Sequence, residues 1–351
     1  MKMQSWKMTV PGEPLTLQTS DLPVPNAGEA LLKVLACGLC HTDLGFFYDG
    51  VPTRQALPLT LGHEIVGEVI GVGAGGEQWQ GRTVIVPAVM PCGECDVCRA
   101  GRGSICPKQI FPGNDIDGGF ASHVVVPTKG LCPVPEGVED PVPLSVIADA
   151  VTTPYQSIRR GDVGEGDLVV FVGAGGVGAF GVQIARALGA TVVAIDIDDA
   201  RLMACAEHGA SLTINAGEHD NRAIKKTVRG FAKENNLPLV CWKIFETSGT
   251  PAGQQTAFGL VGHGSYLGIV GYTAQKVEIG LSRLMAFDAK AEGNWGCLPE
   301  LYPEVLEMVL DGKVAIEPFV ERRPLSEINA VFEAVHAREL TSRVVFIPDN
   351  D

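Results

Sequence analysis

The stretch LVVFVGAGGVGAFGVQIARALGATVVAID, residues 168–196, decides the fold of the central part of this chain. Its first five residues form a continuous apolar run, which is typical of a strand buried on both faces of a parallel sheet. The helical periodicity that follows places Phe180, Ile184 and Leu188 on one face. A second apolar run, TVVAID, ends at Asp196. Strand, helix and strand in this order predict a doubly wound α/β domain.

A glycine loop, GAGGVG, joins the first of these strands to the helix. Gly173 permits the tight turn, Gly175 lets the backbone approach a pyrophosphate, and Gly178 lets the helix pack closely on the strand. The amino terminus of the helix then faces the anion. A lone loop of this kind is weak support, but its place between a strand and a helix favours a dinucleotide site.

Asp196 indicates which dinucleotide this site prefers. It lies 23 residues after Gly173, at the end of the second strand. A carboxylate there would accept the ribose hydroxyls of NAD and repel the 2′-phosphate of NADP. The alternative is a helix N-cap or a solvated loop carboxylate. The sequence predicts NAD as the cofactor, and the predicted contacts around the loop are Gly173, Gly175, Gly176, Val177, Gly178, Asp196 and Arg201.

The chain on either side of this region has a different pattern. From about residue 5 to 150, short β-rich runs at 30–35, 65–72, 83–86 and 122–126 alternate with glycine and proline turns. This is typical of an antiparallel or barrel-like β domain. Apolar runs at 239–245 and 266–270 continue the central α/β alternation, and the tail from about 291 adds a helix at 301–310 and a strand at 343–347.

Composition and charge limit the possible partners. The 351 residues are 46% hydrophobic and 19% charged, which is ordinary for a soluble protein with two domains. The net charge of −14 opposes loose attraction to nucleic acid or to an anionic membrane. No apolar run approaches the roughly 18 residues of a membrane span. The start MKMQSWKM has no apolar signal region, so we expect a cytoplasmic protein with reduced thiols.

Four closely spaced cysteines lie in the segment PCGECDVCRAGRGSICP, residues 91–107. They are Cys92, Cys95, Cys98 and Cys106. Four thiolates complete the tetrahedral shell of a structural zinc and leave no open position for substrate. A pair of disulfides is the alternative, and a reducing compartment argues against it. The segment therefore predicts a zinc ion that holds a loop.

A second possible metal site comes from CGLCHTD at 37–43 and GHE at 62–64. A catalytic zinc takes three protein ligands and leaves one open position. Cys40 and His63 would supply a thiolate and an imidazole. By themselves they are ambiguous, because a buried cysteine and a core histidine are each commoner than metal ligands.

The three motifs together resemble the medium-chain zinc-dependent alcohol dehydrogenases, in the order and spacing of that family and over essentially the whole chain. The resemblance implies a GroES-like β-barrel catalytic domain, formed by residues 1–150 and 291–351, and a Rossmann domain at 151–290. It also implies NAD-dependent oxidation of an alcohol with one catalytic and one structural zinc. Bacterial members are usually homotetramers.

The resemblance assigns roles around the catalytic zinc. It implies Cys40 and His63 as ligands, Asp43 as a carboxylate behind them, Glu64 beside the metal, and Thr42 as the hydroxyl that takes the substrate's proton. Zinc acts as a Lewis acid that lowers the pKa of the substrate alcohol, and the nicotinamide accepts the hydride.

Two positions depart from the usual family pattern. Many members have a cysteine ligand six residues before a tyrosine; here the tyrosine is Tyr155 and the position holds Asp149. A carboxylate is an accepted zinc ligand, but Glu64 or a water could complete the shell instead. Gly45 replaces the histidine that often finishes the proton relay. The proton would then leave through the cofactor ribose and water.

Four further positions resemble cofactor contacts of the family. His41 and Arg343 correspond to residues that touch the pyrophosphate, and Thr153 to the threonine beside the nicotinamide. The segment from Val270 to Tyr272 corresponds to the strand end whose backbone holds the carboxamide. Alternatively, Arg343 is a surface charge and Val270 a core residue.

Within the family, residues 42–64 and 105–127 look like the 6-hydroxycyclohex-1-ene-1-carbonyl-CoA dehydrogenases of benzoyl-CoA degradation, and Asp149 suits that group. Phe46, Phe47 and Tyr48 would line a pocket for an alicyclic ring, or form an aromatic core. The candidates for binding the anionic CoA are Arg54, Arg99, Arg102 and Lys108. The alternatives are a generic zinc alcohol or polyol dehydrogenase and a non-catalytic nucleotide-binding zinc protein.

Overall fold

The computed structural model describes residues 2–349 and divides into two compact units. Unit 1 contains the chain up to Thr152 together with Gly296–Glu307 and the residues from Ile316 onward. Unit 2 contains Thr153–Trp295 and Met308–Ala315. The division differs from the predicted one, because residues 291–295 and 308–315 group with unit 2 rather than with the first domain.

The strands differ in burial: Leu168–Val172 is buried at every position, and Thr16–Asp21 is exposed at every position. In chain order they are β1 (Lys2–Met8), β2 (Thr16–Asp21), β3 (Glu29–Gly38), β4 (Leu59–Thr60), β5 (Glu64–Val72), β6 (Thr83–Val86), β7 (His123–Pro127), β8 (Cys132–Pro133), β9 (Leu168–Val172), β10 (Thr191–Asp196), β11 (Ala210–Asn215), β12 (Lys243–Glu246), β13 (Tyr266–Ile269), β14 (Lys290–Gly293), β15 (Val320–Pro324) and β16 (Arg343–Ile347).

The α-helices fall mostly in unit 2. In chain order they are α1 (His41–Phe47), α2 (Asp96–Arg99), α3 (Thr152–Arg160), α4 (Gly176–Ala187), α5 (Asp199–Glu207), α6 (Asn221–Glu234), α7 (Pro251–Leu260), α8 (Ser282–Phe287), α9 (Tyr302–Leu310) and α10 (Ile328–His336). No helix within residues 2–349 has both the length and the apolar character to cross a bilayer.

Unit 1 is built on a mixed sheet with strand order β15, β16, β3, β5, β6, β8, and β7 also pairs with β3. Most neighbouring pairs are antiparallel, as the short β runs predicted. Phe120 packs edge-to-face against both Phe332 and Phe346 in the core. This sheet places the ends of β3, β5 and β16 beside one another, and the candidate metal residues lie there.

Unit 2 is a parallel six-stranded sheet with strand order β11, β10, β9, β12, β13, β14. The chain moves outward from β9 in one direction through β10 and in the other through β12. The carboxyl end of β9 is therefore the topological switch point, where doubly wound sheets bind ligands. The predicted doubly wound sheet is confirmed.

The strand predicted at 239–245 begins later, at Lys243. Leu239 and Val240 are exposed, and Cys241 has a left-handed backbone with φ of 58°. A non-glycine residue in that conformation interrupts an extended strand. The apolar run is therefore partly a loop, and periodicity alone could not separate the two.

Candidate metal and dinucleotide sites

The four clustered cysteines converge on one point in unit 1. The sulfur separations are 3.9 Å for Cys92 and Cys98, 3.5 Å for Cys95 and Cys98, 3.7 Å for Cys95 and Cys106, and 3.5 Å for Cys92 and Cys106. Zinc–sulfur bonds of about 2.3 Å at tetrahedral angles separate sulfurs by about 3.8 Å. All four thiols are unbridged. The quartet therefore fits a closed zinc site and does not form the alternative disulfides.

Local structure prepares these thiols for a cation. Cys95 caps the short helix α2, and Cys98 follows within that helix. Hydrogen bonds from the backbone N–H groups of Glu94 and Cys95 lower the pKa of Cys92 to about 6. Because zinc binds the thiolate form, these donors favour metal binding at neutral pH.

Asp43 ties together the two chain segments that carry Cys40 and His63. It occupies the first turn of α1 and is fully buried. Its carboxylate accepts hydrogen bonds from the backbone N–H of Cys40 and from that of Gly62, each at 3.0 Å. The predicted role of Asp43 behind the ligands therefore has a physical basis, since one carboxylate orients both segments.

His63 is the buried centre of this cluster. Its Nδ1 lies 3.4 Å from Asp43 Oδ1 and its Nε2 lies 3.5 Å from Asp149 Oδ2, and neither nitrogen makes a regular hydrogen bond within the described chain. Burial lowers the pKa of His63, but the Asp43 and Asp149 carboxylates more than offset this and raise it well above its usual value. A buried imidazole without hydrogen-bond partners, next to two carboxylates, suits a metal ligand.

Asp149 completes the group. It follows the short 3₁₀ helix Val142–Ala148, and its Oδ2 lies 3.4 Å from Cys40 Sγ. Zinc at tetrahedral angles separates a sulfur and an oxygen ligand by about 3.6 Å, and a nitrogen and an oxygen ligand by about 3.4 Å. The ligand atoms of Cys40, His63, Glu64 and Asp149 all lie within 4.8 Å of one another. The residues present fit a zinc ion.

Glu64 lies in the same group but its oxygens are already engaged. Oε2 accepts from Arg343 Nε at 2.8 Å, and Oε1 accepts from Arg343 Nη2 at 2.5 Å and from Ala150 N at 3.0 Å. A Cβ on Gly38 would lie 2.1 Å from Glu64 Oε2. The ion pair between Glu64 and Arg343 therefore requires glycine at this position of β3. This engagement of Glu64 favours Asp149 as the candidate third ligand.

Arg343 lies in an environment that the sequence pattern did not predict. Its side chain is 7% exposed and forms a two-point ion pair with Glu64 inside unit 1. It is therefore not a surface charge, which was the alternative. Its contact with a pyrophosphate stays a prediction, and the ion pair limits how many of its donors could serve a ligand.

Sequence reasoning missed Tyr302. The side chain is completely buried in unit 1, where its hydroxyl donates to the carbonyl of Ala148 and accepts from Ala88 N at 3.1 Å. Ala148 is the residue immediately before Asp149, so Tyr302 holds the segment that carries the carboxylate. Nothing local in the sequence links these positions, which are more than 150 residues apart.

The glycine loop has the geometry expected of a dinucleotide cradle. Gly173 has φ of 104°, and a Cβ there would lie 2.4 Å from Ser248 N. A Cβ on Gly178 would lie 1.8 Å from Gly173 O. At Gly175, which caps α4, the nearest atom to a Cβ would be Arg201 Nη1 at 3.8 Å. The loop is thus tightly packed at Gly173 and Gly178 and open at Gly175. The open side of the loop has room for a phosphate group.

Asp196 holds the same loop from the next strand. Its Oδ2 accepts from Ala174 N at 2.6 Å, and its Oδ1 accepts from Ile197 N at 2.8 Å and Asp198 N at 3.1 Å. The helix N-cap is the neighbouring Asp198, not Asp196. Asp196 therefore lies at the edge of the loop, where the ribose of a bound dinucleotide would lie. Its hydrogen bonds also hold the loop in place.

The other predicted cofactor contacts in unit 2 lie after the end of β13 and near the start of α3. Val270 and Gly271 follow β13, and both backbone N–H groups donate to the carbonyl of Glu246. Tyr272 is highly exposed, and Thr153 is buried with its carbonyl accepting from Asn294 Nδ2 at 3.1 Å. In unit 1, His41 at the start of α1 is exposed and Thr42 is half-buried.

The three aromatic residues after Thr42 belong to the core of unit 1 or pack against it. Phe47 is buried and packs edge-to-face against Tyr48 and Phe332, so it belongs to the aromatic core rather than to a ring pocket. Tyr48 stacks on His336 with centroids 4.1 Å apart. Phe46 lines a mostly apolar cavity of about 270 Å³ together with Val51 and Leu57.

Comparison with known proteins identifies the family of the two domains. Residues 26–136 match the alcohol dehydrogenase GroES-like domain family and residues 176–311 match the zinc-binding dehydrogenase family. An alcohol dehydrogenase of Geobacillus stearothermophilus is 32% identical over 334 residues, which are 94% of this chain and 95% of the relative. These matches confirm the predicted GroES-like and Rossmann folds.

Two solved structures cover nearly the whole chain. Galactitol-1-phosphate dehydrogenase from Escherichia coli superposes with a TM-score of 0.86 at 25% identity, covering 98% of this chain and 100% of that one. A zinc-binding dehydrogenase from Sinorhizobium meliloti 1021, bound to NADP, has a TM-score of 0.87 at 25% identity and covers 99% and 100%. With its matched domains, its relative and its zinc-type ligand clusters, this chain belongs to the medium-chain zinc-dependent alcohol dehydrogenase family and is an oxidoreductase.

Proposed function

We propose that this enzyme oxidises a secondary alcohol with NAD, using a catalytic zinc held by Cys40, His63 and Asp149 and a structural zinc held by the cysteine quartet. The observation that carries the proposal is the convergence of a thiol, an imidazole and a carboxylate at separations of 3.4 and 3.5 Å, beside a hydroxyl. Three ligands leave one tetrahedral position for substrate.

Each protein group around this position has a separate task. When bound, zinc would stabilise the charge that develops on the substrate oxygen, and the nicotinamide would accept the hydride. Thr42 Oγ1 lies 3.7 Å from Cys40 Sγ, so its hydroxyl would be beside a substrate held at the metal and would accept the substrate's hydroxyl proton. Gly45, one turn further along α1, offers no side chain to continue the relay. As Thr42 accepts the substrate's proton, its own hydroxyl proton would pass to water.

Asp149 gives the sharpest test of the ligand set. Changing Asp149 to Asn should lower the catalytic zinc content to below about half and reduce turnover by about 100-fold, because a neutral amide is a poor zinc ligand. Changing it to Cys should keep the metal, since thiolate is a good ligand. Zinc analysis by mass spectrometry and NADH formation measure both.

The structural zinc and nucleotide binding serve as internal controls for these two variants, since neither involves Asp149. If Asp149→Asn retains two zinc ions and full activity, Glu64 or water is the third ligand instead. That result would require Glu64 to exchange its hydrogen bonds with Arg343 for the metal.

NAD should be preferred over NADP because Asp196 lies at the loop edge. Changing Asp196 to Asn keeps an acceptor for Ala174 N but removes the charge, so the ratio of kcat/KM for NAD to that for NADP should fall by about tenfold. Changing Asp199 to Asn makes the same charge change in the first turn of α5 and should leave the ratio within about twofold. Equal use of both cofactors by the unmodified enzyme would contradict the assignment.

The specific substrate that we propose is 6-hydroxycyclohex-1-ene-1-carbonyl-CoA, oxidised to the 6-oxo product, on the sequence resemblance and Asp149. A small alcohol or polyol is the second candidate. This second candidate is favoured because three of the basic residues named as candidates for binding CoA are already paired with carboxylates of the chain. The pairs are Arg54 with Asp115, Arg99 with Asp96, and Lys108 with Glu94. A cytoplasmic location is part of the first proposal, and so is a homotetramer, which rests on the resemblance alone.

One assay separates these substrates. NADH formation is followed with a panel of alicyclic hydroxyacyl-CoA thioesters, the corresponding free acids, and simple alcohols and polyols. The CoA proposal predicts kcat/KM at least about 100-fold higher for a thioester than for its free acid. Equal or higher values for free alcohols would favour the second candidate.

A further inference from the structure

Glu246 is a buried carboxylate that the sequence analysis did not single out. It ends β12 and is 1% exposed. Its Oε1 accepts from Ser248 N at 2.9 Å, Ser248 Oγ at 2.5 Å and Gly249 N at 3.1 Å. Three donors on one oxygen hold the turn between β12 and α7 in a single arrangement.

The same residue also holds the end of the next strand. Its carbonyl accepts from Val270 N at 2.9 Å and from Gly271 N at 3.0 Å, where the chain leaves β13. Its second side-chain oxygen, Oε2, has no hydrogen-bond partner within the described chain. A Cβ on Gly271 would lie 2.7 Å from this oxygen and 2.2 Å from Gly249 N. The loop that follows β12 and the loop that follows β13 are therefore in direct contact beside the Glu246 side chain.

Strand order assigns these loops to one half of the dinucleotide. The pyrophosphate cradle lies at the end of β9, and Asp196, which faces the adenosine ribose, ends β10. A dinucleotide lies across the switch point, with its two halves on opposite sides. Because β12 and β13 lie on the side of β9 opposite to β10, their ends face the nicotinamide half.

We propose that Glu246 is a positioning residue for the nicotinamide half of the cofactor. Its carboxylate fixes the Ser248–Gly249 turn, its carbonyl fixes Val270 and Gly271, and its bulk sets the spacing between them. This inference rests on the proposed NAD site and adds to it a residue that acts only through the backbone of two loops. It predicts selective loss of affinity for ligands that contain nicotinamide.

The test compares two nucleotides that differ in that half. NADH and ADP-ribose share the adenosine and both phosphates, but ADP-ribose lacks the nicotinamide. Their dissociation constants are measured by calorimetry with the full-length, zinc-loaded protein. Glu246→Ala should weaken NADH binding by about tenfold and leave ADP-ribose within about twofold, since the loop N–H groups lose their acceptor. Glu246→Gln keeps an acceptor oxygen and should recover most of the NADH affinity.

Two further variants complete the design. Gly271→Ala pushes the loops apart from the other side and should show the same selective loss of NADH affinity. It decides the question by itself if Glu246→Ala does not fold. Thr256→Val is the control, because Thr256 lies on α7, away from the loops, and its buried hydroxyl donates a hydrogen bond to Asn221 Oδ1 on α6. It should lower thermal stability without changing the ratio of the two dissociation constants.

The outcomes separate this inference from the proposed function. It is overturned if Glu246→Ala and Gly271→Ala keep NADH affinity, if they weaken both nucleotides equally, or if Glu246→Gln binds NADH no better than Glu246→Ala. If the wild-type protein binds both nucleotides and any of those results is obtained, the inference about Glu246 fails but the proposed NAD site remains. A wild-type protein that binds neither contradicts the NAD site and the inference together.

Discussion

Changing His63 to Ala should lower kcat/KM for alcohol oxidation by about three orders of magnitude, because the metal's electrostatic contribution to this chemistry is several kcal/mol. The imidazole is the buried centre of the cluster, with Asp43 on one nitrogen and Asp149 on the other. Without it, Cys40 and Asp149 are two ligands with no third. The bound zinc should fall from two ions per chain to one.

This prediction is checked by NADH formation together with zinc analysis of freshly purified protein. His123→Ala is the matched control, since His123 lies on β7 and contacts Ser122 rather than the metal cluster. It should keep both zinc ions and nearly full activity. Two retained zinc ions with unchanged turnover in His63→Ala would show that the catalytic ligand set is wrong.

Changing Cys95 to Ser should destabilise the protein more than any single thiol change outside the two metal clusters. The sulfur of Cys95 lies 3.5 Å from that of Cys98 and 3.7 Å from that of Cys106, so its loss opens the structural zinc shell. Structural zinc binding contributes directly to folding free energy. A loss of about 4 kcal/mol corresponds to a fall in Tm of about 5 °C for a protein of this size.

Thermal unfolding with and without a chelator measures this effect. Cys241→Ser changes an exposed thiol in unit 2 and should leave both Tm and zinc content unchanged. In Cys95→Ser the catalytic zinc and NADH binding should persist at low temperature, because the two metal sites use separate residues. An unchanged Tm with two zinc ions would mean that the quartet does not hold a metal.

The parts of the molecule that could be predicted from the sequence are those whose partners are close along the chain. The quartet from Cys92 to Cys106 lies within 15 residues, and the loop from Gly173 to Gly178 lies between a strand and a helix that its own residues predict. Their geometry depends on local turns, so spacing is sufficient to anticipate it. The fold class and the enzyme class followed from these motifs and their order.

Other predictions needed contacts that periodicity does not contain. The apolar run at 239–245 is half loop because Cys241 adopts a left-handed backbone, and Phe47 is core because Phe332 packs against it. In each case the competing interpretations had the same local pattern. Burial against distant residues decided between them.

The sequence by itself determined which chemical groups are available: thiols with zinc spacing, a glycine loop with an acid after it, and a cysteine, a histidine and an aspartate at Cys40, His63 and Asp149. Only the tertiary structure decided how they are used. It brings Asp149 to 3.4 Å from Cys40 across 109 residues and engages Glu64 with Arg343 across 279. Sheet pairing and burial set such contacts, because the free energy of a buried charge depends on the partners that folding places around it.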